Sequence, residues 1–282
     1  MNFTIFRFAR RKDFLHCPQI QMQLSGNLRK YIFGTLNALL GVASLVELLV
    51  PRWLSWVDAA AIALAAAASL LGLNRQLPLQ NIFTAAVVTA AIGSAVHGFS
   101  ARTAIPLGPI VFNSQAGAQS FSVVPWTIPL LWIAVLFTAR GVGRLILRPW
   151  RKTKRYGYWL IGFTSILVAA FDFALEPWAW HVKHLWLWEP TKLTVNWNGA
   201  TPLNFLVWGL AALLILMFIT PSLIKKQPGS SSTPDFHPLA LWLGALLIFA
   251  VGSASAGLWW SVGADAVIAG ATGFFAVRGA KW

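Results

Sequence analysis

The sequence predicts an all-α, polytopic transmembrane helix bundle of about eight spans, with its N-terminus in the cytoplasm. Three observations support this fold class. Hydrophobic residues make up 57% of the 282 residues and charged residues only 11%, and the mean hydropathy is +0.65. Several apolar runs reach the ~18 residues that indicate a spanning helix. Basic residues collect between alternate runs, which sets the direction of each span.

Turn-forming or charged segments separate the apolar runs. The predicted spans are 31–50, 54–73, 81–98, 121–139, 158–175, 203–220, 238–256 and 258–277. Only Gly257 and its neighbours divide the last two, so the alternative is one broken or re-entrant hairpin and a seven-span count. Residues 1–30 are basic and lack the apolar core of a signal peptide. They are predicted to form a cytoplasmic N-terminal arm, and residues 31–282 a single transmembrane domain.

The distribution of basic residues gives the orientation. The predicted inner segments contain Arg7, Arg10, Arg11, Lys12, Arg29, Lys30, Arg75, Arg140, Arg144, Arg148, Arg151, Lys152, Lys154, Arg155, Lys225, Lys226, Arg278 and Lys281. The outer segments contain only Arg52, Arg102, Lys183 and Lys192. This asymmetry predicts a multi-pass protein of the cytoplasmic membrane. The basic run 148–155 is therefore interpreted as a topology and lipid-headgroup anchor, and no nucleic-acid partner is expected.

Two carboxylic acids end the fifth apolar run, in the stretch FDFALEPW (171–178). Asp172 and Glu176 are four residues apart and therefore lie on one helix face. Ionisable groups within a span are costly and usually face a partner or a functional site. Two acids so close in a low dielectric resist ionising together, so one is expected to stay protonated near neutral pH. The pair is the strongest candidate for acid catalysis.

The other polar candidates gather at the same, predicted outer, level, and each has a structural interpretation. Glu47 pairs with Arg52 or belongs to the site, and Asp58 is a solvated residue near a helix start. Asp265 hydrogen-bonds to a neighbouring helix. His181 and His184 lack a third strong ligand, so no metal site is expected. His97 ends the third span, and Cys17, the only cysteine, excludes a disulfide framework.

Aromatic residues and an outer loop complete the predicted site. Many tryptophans map to the outer boundary, where an interfacial belt explains several of them. Trp178 and Trp180 belong to a loop whose tryptophan density exceeds what anchoring needs, and indole faces also line channels for flat apolar ligands. The outer loop 99–120 contains Pro106 and Gly108, which predict an ordered turn. It is predicted to lie beside the loop after Glu176, so that the two loops roof a cavity.

Four stretches resemble the carotenoid biosynthesis membrane proteins that include the bacterial carotenoid 1,2-hydratases and the archaeal bacterioruberin-pathway hydratases. They are PLGPIVF (106–112), VPWTIPLLW (124–132), DFALEP (172–177) and GATPLNFLVW (199–208). The resemblance covers roughly residues 47–221. This chain departs from the family pattern at Ile110, Phe112 and His97. The resemblance adds Trp132, Asn204 and Trp208 to the candidate substrate-binding residues Trp178, Trp180, Pro106 and Gly108.

The resemblance implies a cofactor-independent hydro-lyase that adds water to a terminal double bond of an acyclic carotenoid. An acid protonates the alkene, and water attacks the resulting tertiary cation. Asp172 and Glu176 are the expected acid and base, with His97 or His181 orienting water. Trp178 or Trp180 would face the cation, and Asn204 would hold a water or a carboxylate. The implied partners are a carotenoid or other isoprenoid lipid, membrane lipids and other enzymes of the pathway.

Other function classes remain open from the sequence. A transporter or lipid carrier would place ionisable groups near the midplane and would show an inverted repeat, which is not evident. A non-catalytic carotenoid-binding assembly protein shares the apolar and aromatic features but does not need the acid pair. Isomerisation or cyclisation of a carotenoid end begins with the same protonated alkene. A water path to the cation favours the alcohol, and a dry site favours proton loss.

Overall fold

Eight α-helices form the framework of the structure, a computed structural model that describes residues 26–49, 55–74, 77–120, 122–190, 195–223 and 233–282. Their bounds are α1 Gly26–Leu49, α2 Ser55–Asn74, α3 Leu79–Thr103, α4 Thr127–Ile146, α5 Tyr156–Pro177, α6 Pro202–Ile219, α7 His237–Ser255 and α8 Trp259–Ala280. All eight are long and apolar enough to cross a membrane. The chain is therefore a multi-pass membrane protein with an all-α fold. Residues 1–25 of the predicted N-terminal arm lie outside the described residues.

The last two helices are separate spans joined by a tight turn. α7 has 19 residues and α8 has 22, so each is long enough to span by itself. Gly257 between them has φ of 75°, a left-handed conformation that glycine adopts without strain. The Leu258 N–H donates to Ser253 O at 2.9 Å and closes the turn. The eight-span prediction is confirmed, and the last two predicted spans are two helices rather than one broken helix.

Successive helices run in opposite directions, which gives the bundle two ends. One end contains the last residues of the odd-numbered helices and the first residues of the even-numbered helices, and we call it the carboxylate end. At the opposite end, Asn81 near the start of α3 donates to the Ser222 carbonyl just after α6. Gly279 near the end of α8 lies against the last turns of α4 at that same end. These contacts agree with the alternating directions of the helices.

Three boundaries of the third and fourth predicted spans were wrong. α4 begins at Thr127 rather than at residue 121, because Val124 pairs with Ser120 in a short hairpin and is therefore not helical. The same helix continues to Ile146, and its last two turns carry arginines that were assigned to a loop. α3 continues to Thr103, so that His97 lies six residues, or about 9 Å, inside the helix rather than at its end.

The loops at the carboxylate end form two small antiparallel sheets. The strands are β1 Ile110–Phe112, β2 Gln119–Ser120, β3 Val124–Pro125 and β4 Trp186–Trp188. β1 pairs with β4, with Phe112 opposite Trp186 and Ile110 opposite Trp188, and β2 pairs with β3. The loop after α3 therefore lies directly beside the loop after α5, as the sequence predicted.

Helix α4 occupies the centre of the bundle. Every residue from Leu131 to Arg140 is buried, which a helix with lipid on one side would not show. Close approach of its neighbours depends on small residues, as is usual where no water drives helices together. A Cβ atom on Gly141 would lie 2.3 Å from Pro238 of α7. A Cβ atom on Gly279 of α8 would lie 2.2 Å from the Leu145 carbonyl oxygen.

A buried ion cluster joins α1 and α2 to the segment after α5. The Lys183 ammonium group contacts Glu47 Oε2 and lies 2.6 Å from Asp58 Oδ1. All three residues are buried, so the prediction of a solvated Asp58 was wrong. The predicted partner of Glu47, Arg52, lies outside the described residues, and Lys183 takes that place. A buried carboxylate needs a paired charge and hydrogen bonds, which explains why a loop lysine is drawn into the bundle.

The contact between α8 and α4 yields a stability prediction. Gly279→Ala places a methyl group against the α4 backbone, which cannot move aside as a flexible side chain can, and overpacking of this kind costs about 1–3 kcal/mol. We expect a lower temperature for loss of the monodisperse gel-filtration peak of the detergent-solubilised protein.

Gly270→Ala in the same helix is the matched control, because no atom lies within 4 Å of the added Cβ. Replacing a helical glycine by alanine there leaves stability unchanged or raises it. Equal midpoints for the two variants would contradict the packing described for α8.

Candidate active site at the carboxylate end

The two acids of α5 face the start of α6 and share one amide. Asp172 and Glu176 lie on the same face of the last two turns of α5, and both are buried, at 0% and 1% exposure. Asn204 follows Pro202, which begins α6, and is itself fully buried. Asn204 Nδ2 donates to Asp172 Oδ2 at 2.6 Å and to Glu176 Oε1 at 3.2 Å. One neutral side chain thus bridges the two carboxyl groups.

Two indoles donate to the second oxygen of Glu176. Trp188 Nε1 lies 2.9 Å and Trp186 Nε1 3.2 Å from Glu176 Oε2. Both residues belong to β4, where successive side chains point to opposite faces. Trp186 and Trp188 therefore point into the bundle, while Leu187 between them is exposed. Among the described residues, Glu176 thus receives three N–H donors.

The loop after α3 holds β4 in place. Gly108 has φ of 123°, which residues with a side chain rarely adopt, and an added Cβ would lie 3.2 Å from Trp188 Cζ3. Gly108 therefore supports the Trp188 ring. Pro106 precedes it at a cis peptide bond, and the next residue, Leu107, is fully buried with its N–H bound to Ser100 Oγ at 2.9 Å. The predicted ordered turn is present, and it packs against Trp188, which donates a hydrogen bond to Glu176.

His97 belongs to a separate aromatic group formed by α3, α4 and α6. Its ring packs edge-on against Trp208, with 5.4 Å between ring centroids, and Trp208 stacks on Trp132 at 4.3 Å. Trp132 Nε1 donates to His97 Nδ1 at 3.2 Å. The same Nδ1 also lies 3.1 Å from the Gly93 carbonyl oxygen. Gly93 makes room for Trp132, since a Cβ there would lie 2.4 Å from the indole.

Phe112 connects the aromatic group to the carboxylates. Its ring centroid lies 6.1 Å from that of His97 and 6.4 Å from that of Trp186. Trp186 in turn donates to Glu176. The sequence named His97, Trp132 and Trp208 as site residues, and the structure joins them in one aromatic group, with Trp208 one turn after Asn204 in α6. None of the three donates a hydrogen bond to Asp172 or Glu176 in the described part of the chain.

Asp172, Asn204 and Glu176 form one hydrogen-bonded unit, and two of its oxygen atoms lack a described partner. Asp172 Oδ1 and Asn204 Oδ1 are buried and have no hydrogen-bond partner among the described residues. Buried polar atoms are almost always satisfied in proteins, and exceptions often mark functional sites. A carboxyl oxygen and an amide oxygen suit a protonated acid, a hydroxyl group or a water molecule as partner.

The other predicted site residues lie elsewhere. Trp178 packs on α7, where an added Cβ on Gly252 would lie 2.5 Å from its ring, and its centroid is 5.1 Å from that of Phe249. Trp180 covers Gly199 and lies against His181, with 4.4 Å between their ring centroids. Neither indole is hydrogen-bonded to Asp172 or Glu176 in the described part of the chain.

Two further predictions concern polar groups away from the acid pair. Asp265 in α8 is buried, and neither of its carboxyl oxygens has a hydrogen-bond partner in the described segments, so the predicted helix-to-helix bond is not formed. In the same segments, no group of three histidine, cysteine or acidic side chains is arranged to hold a metal ion.

The sequence did not single out the donors to Glu176. Trp186 and Trp188 were assigned to the general tryptophan density of their loop. The signal was the alternation WLW, in which two tryptophans two residues apart share one face of a strand. Lys183 was also treated only as an outer-loop charge. No pattern in the sequence connects it with acids more than 120 residues earlier in the chain.

Comparison with known proteins gives the family. A family model described as carotenoid biosynthesis protein matches residues 53–272, a range that contains every residue of the site described above. No curated protein and no solved structure matches the chain. The family match spans well over half of the sequence. The chain therefore belongs to the carotenoid biosynthesis protein family, and its role lies in carotenoid biosynthesis.

Proposed function

We propose that this protein hydrates a terminal carbon–carbon double bond of an acyclic carotenoid, by acid protonation and water addition and without a cofactor. The family supplies the substrate class. The observation that carries the chemistry is the buried unit in which Asn204 bridges Asp172 and Glu176. Two buried acids at one end of a spanning helix are costly unless they serve a function.

The unequal sharing of hydrogen bonds assigns a role to each acid. Glu176 receives three N–H bonds and Asp172 receives one. N–H donors stabilise a carboxylate charge, and neighbouring carboxyl groups in a low dielectric retain a proton between them. We therefore assign the negative charge to Glu176 and the proton to Asp172. Its Oδ1, which has no partner in the described part of the chain, is the oxygen from which the proton would be transferred.

The proposed reaction conserves the number of protons in the unit. Asp172 transfers its proton to the less substituted carbon of the double bond, which leaves a tertiary cation. A water oxygen bonds to that cation, and the water gives up a proton to Glu176. The product is a tertiary alcohol. The unit still holds one proton, now on Glu176, and its return to Asp172 completes the cycle.

The surroundings of Glu176 suit a short-lived cation. Trp186 and Trp188 bind the Glu176 carboxylate through their N–H groups, which places two indole rings beside that negative charge. Aromatic faces attract cations, and the effect is larger where water is excluded. The negative charge of Glu176 adds to this stabilisation. The rings predicted to face the cation, Trp178 and Trp180, pack against α7 and Gly199 and are weaker candidates.

Enclosure of the unit favours a second candidate reaction. Asp172, Glu176 and Asn204 are at most 1% exposed, so few waters reach the acids. If the same cation loses a proton instead of meeting water, the product is an isomer or a cyclised end group. The mass of the product separates the two reactions, since only hydration adds a water.

The acids can be tested by pigment analysis in a lycopene-producing bacterium. The wild-type chain is expected to yield a product heavier by one water. Asp172→Asn and Glu176→Gln should each lower its yield by about 100-fold or more, because acid–base catalysis contributes about that much. Liquid chromatography with mass spectrometry measures the product, and a membrane immunoblot confirms insertion.

Asp265→Asn is the matched control, since it removes another fully buried acid that lies outside the unit. It is expected to retain activity. Full activity in both Asp172→Asn and Glu176→Gln would overturn the assignment. A new product of unchanged mass that depends on Asp172 would show that the protein isomerises or cyclises the carotenoid end. Unaltered lycopene would favour a carrier or an assembly protein.

The indole donors can be tested one at a time. Trp188→Phe keeps an aromatic ring but removes one N–H bond to the Glu176 carboxylate. A hydrogen bond to a charged group is worth about 1.5–3 kcal/mol, so we expect product formation to fall roughly 10- to 100-fold, as measured in membranes with a supplied carotenoid.

Trp197→Phe serves as the control, because Trp197 Nε1 donates to the neutral Phe173 carbonyl at 3.0 Å. This substitution is expected to lower stability slightly and to leave turnover unchanged. Equal turnover in Trp188→Phe and Trp197→Phe would show that the indole bond to Glu176 does not support catalysis.

A further inference from the structure

A basic cavity lies at the end of the bundle opposite the acids. It has a volume of about 200 Å³ and lies among α2, α4, α7 and the turn that precedes α5. Its lining includes four arginines, Arg140, Arg144, Arg148 and Arg151, together with Tyr156. The proposed hydration does not use any of these residues. The charge of this cavity therefore needs a separate explanation.

Arg140 is the most informative of the lining residues. It is only 7% exposed, and it lies within α4, six residues before the helix ends. Its only described hydrogen bond is a long one, 3.5 Å from Nη2 to the Leu223 carbonyl. A guanidinium group has five N–H donors. A buried charge with so few bonds is costly unless it faces a partner or a ligand.

One acid is present in the described lining of the cavity. It is Asp235, whose Oδ1 accepts the His237 backbone N–H at 3.1 Å. Among the described residues, neither Arg140 nor Arg151 has a carboxylate within 4.0 Å. The described lining of the cavity thus contains four guanidinium groups and one carboxylate, so its lining is predominantly basic.

We propose that this cavity binds a phosphate group, carried either by the headgroup of an anionic lipid or by a free anion. Arginine is the preferred residue for phosphate because its planar fork donates two parallel bonds. Basic pockets between spanning helices commonly bind lipid headgroups. The volume is below the ~300–1,000 Å³ of sites for drug-sized ligands, so it suits a headgroup and not a polyene.

The experiment uses purified full-length protein in micelles containing phosphatidylcholine, and the readout is the thermal midpoint from tryptophan fluorescence. Phosphatidylglycerol or inorganic phosphate is added at constant ionic strength. At saturation we expect the midpoint to rise by about 5 °C or more. A rise with inorganic phosphate identifies a free-anion site, and a rise with phosphatidylglycerol alone identifies a lipid-held phosphate.

Charge variants test whether the cavity is responsible. Arg140→Gln/Arg151→Gln should abolish the rise, whereas Lys152→Gln/Lys154→Gln removes two exposed charges from the same loop and should keep it. Arg151→Gln alone, at an exposed position, should reduce the rise and covers the case in which the Arg140 variant does not fold. The proposal is overturned if neither additive stabilises the wild type, or if all variants respond equally. Carotenoid conversion is not measured, so the result is independent of the proposed hydration.

Discussion

One side-chain amide organises the acids of this protein. Asn204 carries two N–H donors and no charge, and it gives one bond to each of two buried carboxyl groups. Without it, Asp172 would have no described hydrogen bond, and a buried acid without a partner costs several kcal/mol. The bridge fixes the end of α5 against the start of α6. It also leaves the two acids unequal, because the remaining donors all reach Glu176.

The loops at the carboxylate end supply that inequality. β1 pairs with β4, and the alternation of side chains along β4 directs Trp186 and Trp188 toward Glu176. Gly108 permits the loop after α3 to lie against Trp188. The bundle thus places the acids, and one short loop strand, β4, held by its pairing with β1, provides the donors that distinguish them. At the opposite end of the bundle, arginines line a small cavity, so basic rather than acidic side chains collect there.

Much of this architecture could be predicted from the sequence, because it follows from local patterns. Hydropathy gave the eight spans, the i, i+4 spacing gave the shared face of Asp172 and Glu176, and Pro106 and Gly108 gave the ordered turn. The sequence also predicted that the loop after α3 lies beside the loop after α5. Other contacts between distant segments could not be predicted. Lys183 with Glu47 and Asp58 is one example, and the packing of His97 against Trp208 and Trp132 is another. These depend on how helices pack, which hydropathy and spacing do not encode.

Infrared difference spectroscopy tests most directly the claim that Asp172 holds the proton of the pair and Glu176 the charge. Spectra of the membrane-reconstituted wild type near neutral pH would be compared with those of Asp172→Asn and Glu176→Gln. If Asp172 holds the proton, the C=O stretch of a protonated carboxylic acid is lost in Asp172→Asn. If Glu176 holds the charge, the carboxylate band is reduced in Glu176→Gln. A protonated-acid band that survives unchanged in Asp172→Asn and is lost in Glu176→Gln would overturn this assignment of the proton.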